Sequence, residues 1–212
     1  MNRSQIRAKV QVLLEEYSGA GTGDLSPEEI NHLIDLASNK VASIFLSKDD
    51  SYYTKVGSFN LTATIELYDL PADCLYIKRI VDGNSEAFGR LLDLTRRSEF
   101  IGASALLVYY LQGSQIGFLD VPNASLTIPY LYIRTPIALV DDSSSPDVPA
   151  YLGHDLIVID TAIIALQVDE EQSATLEGMS RELRKQIDDI YYTRNKDFAP
   201  QVPGDDAMND MD

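Results

Sequence analysis

A chain of 212 residues, 45% of them apolar, has enough material for one large domain or for a core with a smaller unit inserted. Its 33 acidic residues against 17 basic ones leave a net charge of −16, which argues against general binding to a phosphate backbone and favours partners with basic faces. The single cysteine, Cys74, excludes a disulfide framework and a multi-cysteine zinc site, and its neighbours Leu75 and Ile77 predict a buried thiol acting as a small hydrophobe.

The opening stretch MNRSQIRAKV has no apolar signal core. The longest apolar run, residues 156–168, is interrupted by Asp160 and Thr161 and falls short of a bilayer span. The expectation is a soluble chain made in a reducing cytoplasm, with no membrane partner.

In chain order, Ile6, Val10, Leu13, Leu14 and Tyr17 recur at helical spacing and predict a first helix over residues 3–17, broken by Gly19, Gly21 and Gly23. Ser26-Pro27-Glu28-Glu29 then combines a capping serine, a proline at the first helical position and a glutamate at the third. The helix that follows carries Ile30, Leu33, Ile34, Ala37, Val41, Ile44 and Phe45 on one stripe and should end within residues 47–50.

From Tyr52 the period changes. Leu61, Ala63, Ile65 and Leu67 alternate with Thr62, Thr64, Glu66 and Tyr68, which predicts a half-buried strand, followed by a turn at residues 69–73 and a second strand at 74–81. Residues 82–84 form another turn, and residues 91–100 read ambiguously, with a short helix as one option. Residues 104–111, 115–120 and 125–133 read as three further strands joined by short turns, hence an antiparallel sheet. Pro129 and Pro136 lack a donor for the ladder and suggest an edge position or an interruption.

The polar loop DDSSSPDVP leads to Pro149, expected to open a long helix to Val168. Residues 169–172 are a polar break or a solvated continuation. A final helix uses Leu176, Met179, Leu183, Ile187 and Ile190 as its seam. After Arg194 the sequence NKDFAPQVPGDDAMNDMD has five aspartates, one lysine and little apolar content, so it is expected to be disordered in isolation.

The predicted fold class is therefore α+β, a helical bundle from N- and C-terminal helices with an inserted antiparallel β-sheet region. Its parts are a helical pair (residues 1–50), the β region (51–140), helices completing the core (141–194) and a disordered acidic tail (195–212).

No feature makes a convincing catalytic, cofactor or metal site. Gly19, Gly21 and Gly23 follow a helix rather than a strand and lack the lysine of a phosphate loop, so they read as an interhelical linker. Asp141, Asp142 and Asp147 lack calcium-loop spacing and read as a solvated turn. His32 and His154 are the only histidines, and no nucleophile elbow or zinc-binding helix motif accompanies them. The paired carboxylates at 15–16, 169–171 and 188–189 read as solvent faces. Tyrosines are abundant, at 52, 53, 109, 110, 130, 132, 191 and 192 among others; those on strands serve either as sheet formers or as contacts for a protein partner.

The paired N-terminal helices, the strand–turn–strand YDLPADCLYIKRIV and the run YLYIRTPIALVDDSSSPDVPAYLGHDLIVIDTAIIAL together resemble the head-to-tail adaptor (connector, or neck) proteins of tailed bacteriophages. Residues 132–136, Val148-Pro149 and Tyr151-Leu152 fill the places of that family's strand end, loop exit and helix start. The resemblance implies a structural virion protein without enzymatic activity or cofactor. It implies a homo-oligomeric ring, usually dodecameric, that sits beneath the portal protein, offers a docking surface to tail or neck proteins and lets DNA pass without specific binding. It places the chain in the virion at the head–tail junction and in the host cytoplasm before assembly. By the same resemblance the C-terminal tail, with Phe198, Pro200, Val202, Pro203, Asp205 and Asp206, would contact the portal. The alternatives are another neck or tail-completion protein, a cellular protein-binding module, or a small carboxylate or metal enzyme.

Overall fold

A computed structural model describes residues 1–17, 25–62, 65–81, 89–91, 107–119, 126–168 and 173–197. The chain divides into two compact units, Met1–Asp49 with Ile137–Asp212, and Asp50–Pro136. The fold is α+β, with four α-helices at the two ends of the sequence and two small sheets between them.

The first unit is built from α1 (Arg3–Tyr17), α2 (Pro27–Lys48), α3 (Ala150–Val168) and α4 (Ala174–Asp197). The capping signal before α2 is realised in full. Ser26 Oγ accepts from the Glu29 amide at 3.3 Å while the Glu29 carboxylate accepts from the Ser26 amide at 2.8 Å, so two donors at the helix start are satisfied reciprocally. The buried stripe of α2 is Ile30, Ile34, Ala37, Val41, Ala42 and Phe45; Leu33 and Ile44 lie at its half-buried margins.

The third helix is the centre of this unit and packs against α1, α2 and α4. With 19 residues and its apolar composition it is long enough to cross a bilayer, contrary to the shorter run read from the sequence. Its packing against three helices accounts for much of that composition, because a helix covered over most of its circumference needs only a narrow polar face. Its start also differs from expectation. Tyr151 is extended and Leu152 adopts φ 63°, so regular helix begins at Gly153 rather than at Pro149. A Cβ on Gly153 would meet Val148 at 2.9 Å and Phe45 at 3.1 Å, so glycine is what lets this turn lie against α2.

Asp160, buried on α3, ties three helices together. It accepts from Ser180 Oγ at 2.7 Å and pairs with Arg184, both on α4, and Lys40 of α2 approaches to 3.6 Å. Arg3 pairs with Asp35 across α1 and α2 at 2.5 Å.

The second unit contains β1 (Thr54–Leu61), β2 (Leu67–Asp69), β3 (Cys74–Ile80), β4 (Gly89–Leu91), β5 (Leu107–Gln112), β6 (Gln115–Leu119) and β7 (Leu126–Arg134). They form a three-stranded sheet in the order β1-β7-β3 and a four-stranded sheet in the order β2-β6-β5-β4. All pairings are antiparallel except β4 with β5, which run parallel.

The alternating stretch at residues 61–68 is not one strand. Leu61 ends β1 in one sheet and Leu67 begins β2 in the other, with the Ile65 amide donating to the Thr62 carbonyl at 3.1 Å between them. Pro129 is equally instructive, because it lies in the central strand of its sheet rather than at an edge. Its carbonyl accepts from Val81 at 3.0 Å, just past the last ladder pair Ile80–Tyr130, so the missing donor points where β3 runs out. The ambiguous stretch 91–100 contributes Leu91 to β4, and its remainder lies outside the described residues.

The core of this unit is aromatic. Phe59 and Tyr130 stack at 4.1 Å, and Phe59 meets Phe118 edge-on at 5.6 Å, joining the two sheets. Tyr130 lies over Gly57, its direct cross-strand partner, and Tyr110 lies over Gly117 in the other sheet. A Cβ at Gly57 would sit 2.4 Å from the Tyr130 ring and one at Gly117 only 2.1 Å from the Tyr110 ring, so each glycine is the floor of a ring site.

Candidate functional site

The polar loop after β7 brings none of its carboxylates to a common point. Asp141 accepts from the amides of Ser143 and Ser144, both at 2.9 Å, and from both serine hydroxyls, which holds its carboxyl below the usual carboxylate range. Asp142 receives two bonds from the Arg7 guanidinium, at 2.9 and 2.7 Å, and its carboxyl is likewise lowered by that donor. Asp147 accepts from the Ile137 amide at 2.8 Å. The loop is a self-capped turn clamped to α1, and the three aspartates have separate structural tasks. Among the described residues no three His, Cys, Asp or Glu side chains gather as a metal group would require.

His154 is buried at the start of α3 with the Met1 amine 2.5 Å from its Nδ1, while Asp155 beside it pairs with Lys9 at 3.4 Å. Burial, together with the Met1 ammonium, lowers the His154 pKa below its ordinary value. His32 is exposed on α2. Cys74 is half-buried rather than fully buried, packed at the margin of the aromatic core, and burial pushes its thiol up, which disfavours the reactive thiolate.

The tyrosines sort differently from the partner-contact reading. Tyr53, Tyr109, Tyr110, Tyr130 and Tyr132 are buried, and burial pushes the Tyr130 phenol up to about 12. Of the tyrosines singled out in the sequence, Tyr52 and Tyr192 are exposed. Tyr109, Tyr130 and Tyr132 pack in the core between the two sheets and Tyr110 in a smaller cluster with Val108 and Leu67, whereas Tyr76 on β3 is exposed.

What the helical unit offers instead is an open apolar groove of about 720 Å³ between α1, α3 and α4. Ala8, Val12 and Leu13 line one wall, Met179 and Leu183 the other, and Val158 and Ile159 the floor; Lys9, Asp155 and Glu182 stand among them as its charged members. Val12 is 60% exposed and Met179 44%. The seam expected on α4 is thus divided: Leu176 and Ile187 reach the core, Met179 and Leu183 face the groove, and Ile190 is exposed. One signal in the sequence marks it: Val12 stands off the apolar stripe of α1. The linker glycines, the carboxylates at 169–171 and the tail residues Phe198, Pro200, Val202, Pro203, Asp205 and Asp206 lie outside the described residues.

The chain belongs to the SU10 adaptor protein family, a phage head–tail adaptor family, whose sequence profile matches residues 1–203. Adaptors of this family are structural and typically non-enzymatic, and membership in a phage adaptor family suggests a virion location. No curated protein matches the chain.

Proposed function

We propose that the chain is a head-to-tail adaptor that assembles as a ring beneath the portal and provides the surface on which the tail docks. The family match across residues 1–203 carries this reading. The geometry supports it: the polar residues of the Asp141 loop and of the Asp160 cluster serve structure, and the helical unit carries an open apolar groove. A net charge of −16 suits a ring through which DNA slides without sticking.

The portal contact is proposed for the tail. Residues 195–197 belong to α4, so the proposed contact is residues 198–212, which combine Phe198, Pro200, Val202 and Pro203 with Asp205 and Asp206, a composition suited to a surface with basic and apolar features. The test is the affinity of the full chain, and of a chain ending at residue 197, for the portal protein of the same genome. Tight binding that weakens about tenfold or more on truncation, a loss of at least 1.4 kcal/mol, is the expected outcome. Unchanged affinity would remove the tail from the interface, and no binding by the full chain would overturn the portal-adaptor reading in favour of a tail-completion role.

A further inference from the structure

The groove has a counterpart on the same unit. Residues 137–140, Ile-Ala-Leu-Val, run between β7 and the Asp141 turn in neither helix nor strand, with Ile137 66% and Val140 82% exposed. This strap is fixed rather than loose. The Ile137 amide is held by Asp147, the Val140 amide by Ser144 Oγ at 3.3 Å, and the adjoining turn by the Arg3 and Ser4 amides and the Arg7–Asp142 fork. An exposed apolar segment held in place at both ends has already lost the conformational freedom that binding would otherwise cost it.

We propose that the strap of one copy seats in the α1/α3/α4 groove of the next, joining identical chains head to tail. This rests on the ring reading above and names the surfaces that would make the ring. Three observations select a second copy as the occupant. First, the Asp142 turn that follows the strap is clamped by Arg7 on one flank of α1, whereas the groove takes Lys9, Val12 and Leu13 on the other. Residues two apart on a helix diverge by about 200°, so a clamped strap is turned away from its own groove. Second, residues 135–140 carry no charge, while Asp155 and Glu182 stand at the groove against the single cation Lys9. The acidic tail, with five aspartates and one lysine over residues 195–212, would meet like charge there, and the neutral strap does not. Third, groove and strap are different surfaces of the same unit, which makes the contact heterologous; such contacts propagate from copy to copy and close into a ring when the rotation permits.

The experiment uses the full chain with Cys74→Ser, carrying Val12→Cys and Val140→Cys together, co-expressed with the portal and treated with a short thiol cross-linker. Parallel samples carry Val12→Asp alone, Val140→Lys alone, and the two combined. The expected result is a ladder of covalent multimers from the double-cysteine chain. Val12→Asp should lower the ring-bound fraction by about a hundredfold by burying an unpaired carboxylate. The combined Asp and Lys chain should recover most of it, which a chain that merely misfolds would not do. Rings on the portal that yield only uncross-linked monomers and tolerate Val12→Asp would overturn the strap–groove contact and leave the adaptor reading standing. Multimer ladders without portal-bound rings would do the reverse. Cross-links confined within single chains would assign the groove to its own strap and overturn the proposal.

Discussion

The two units solve the problem of a small core in opposite ways. The β unit closes its two sheets over stacked rings, with Phe59, Tyr130, Phe118 and Tyr109 packed between them, and it seats two tyrosines on glycines that no larger residue could replace. The helical unit buries an aliphatic core along α1, α2 and α3, adds polar ties across its helices, chiefly Asp160 with Ser180, Arg184 and Lys40, and leaves one apolar groove open. Ring stacking seals a core because it is short-ranged and needs contact all round. Ion pairs between helices fix their relative positions without covering the apolar surface beside them, and that surface is then available to a partner.

The comparison can be broken first in the β unit. Tyr130→Ala removes the ring that stacks on Phe59 and covers Gly57, and should cost about 3–5 kcal/mol in urea unfolding. A cost below 1 kcal/mol would mean that the aromatic core is not what holds the sheets. In the helical unit, Arg184→Met leaves Asp160 buried with Ser180 and only the longer 3.6 Å pair to Lys40, for an expected loss of about 3 kcal/mol. Adding Asp160→Leu should return most of that stability, since a well-packed apolar pair replaces a buried ionic one at little cost. A double variant as unstable as the single one would show that the tie sets stability as well as geometry.

Smaller effects sharpen the picture. Ser26→Ala removes the acceptor of the capping box and should cost about 1 kcal/mol, read as a lowered melting temperature. His154 is held neutral by burial, with a folded pKa below its ordinary value, so its contribution is complete above about pH 6.5 and declines as the pH falls below that value. Stability measured from pH 7 to pH 5 should fall, and His154→Gln should flatten that slope; an unchanged slope would assign it to another group.

The helices were legible in the sequence because their signals are local. The Ser26–Glu29 box, the Pro27 start and the stripes of α1 and α2 depend on spacing along one element. The sheets were legible only as strands. Residues 54–61 show no clean alternation, because β1 is an edge strand with an exposed Val56 and a Gly57 whose role is to admit Tyr130. The period at residues 61–68 is real, but the chain changes sheets within it, and periodicity does not report which partner a strand takes. Pro129 looked like an edge residue because its missing donor is harmless in two ways, at an edge or beyond the end of a neighbour, and only pairing distinguishes them. The buried tyrosines follow from the same limit, since whether a strand face is solvated depends on what packs over it. The groove was half visible, in Val12 off the α1 stripe, but an apolar residue does not state whether its neighbour belongs to the same chain.

The most direct test of the adaptor account is co-expression with the portal protein of the same genome, imaged by negative-stain electron microscopy. The account predicts an additional ring-shaped layer on one face of the portal. Bare portal rings beside a monomeric chain would contradict it.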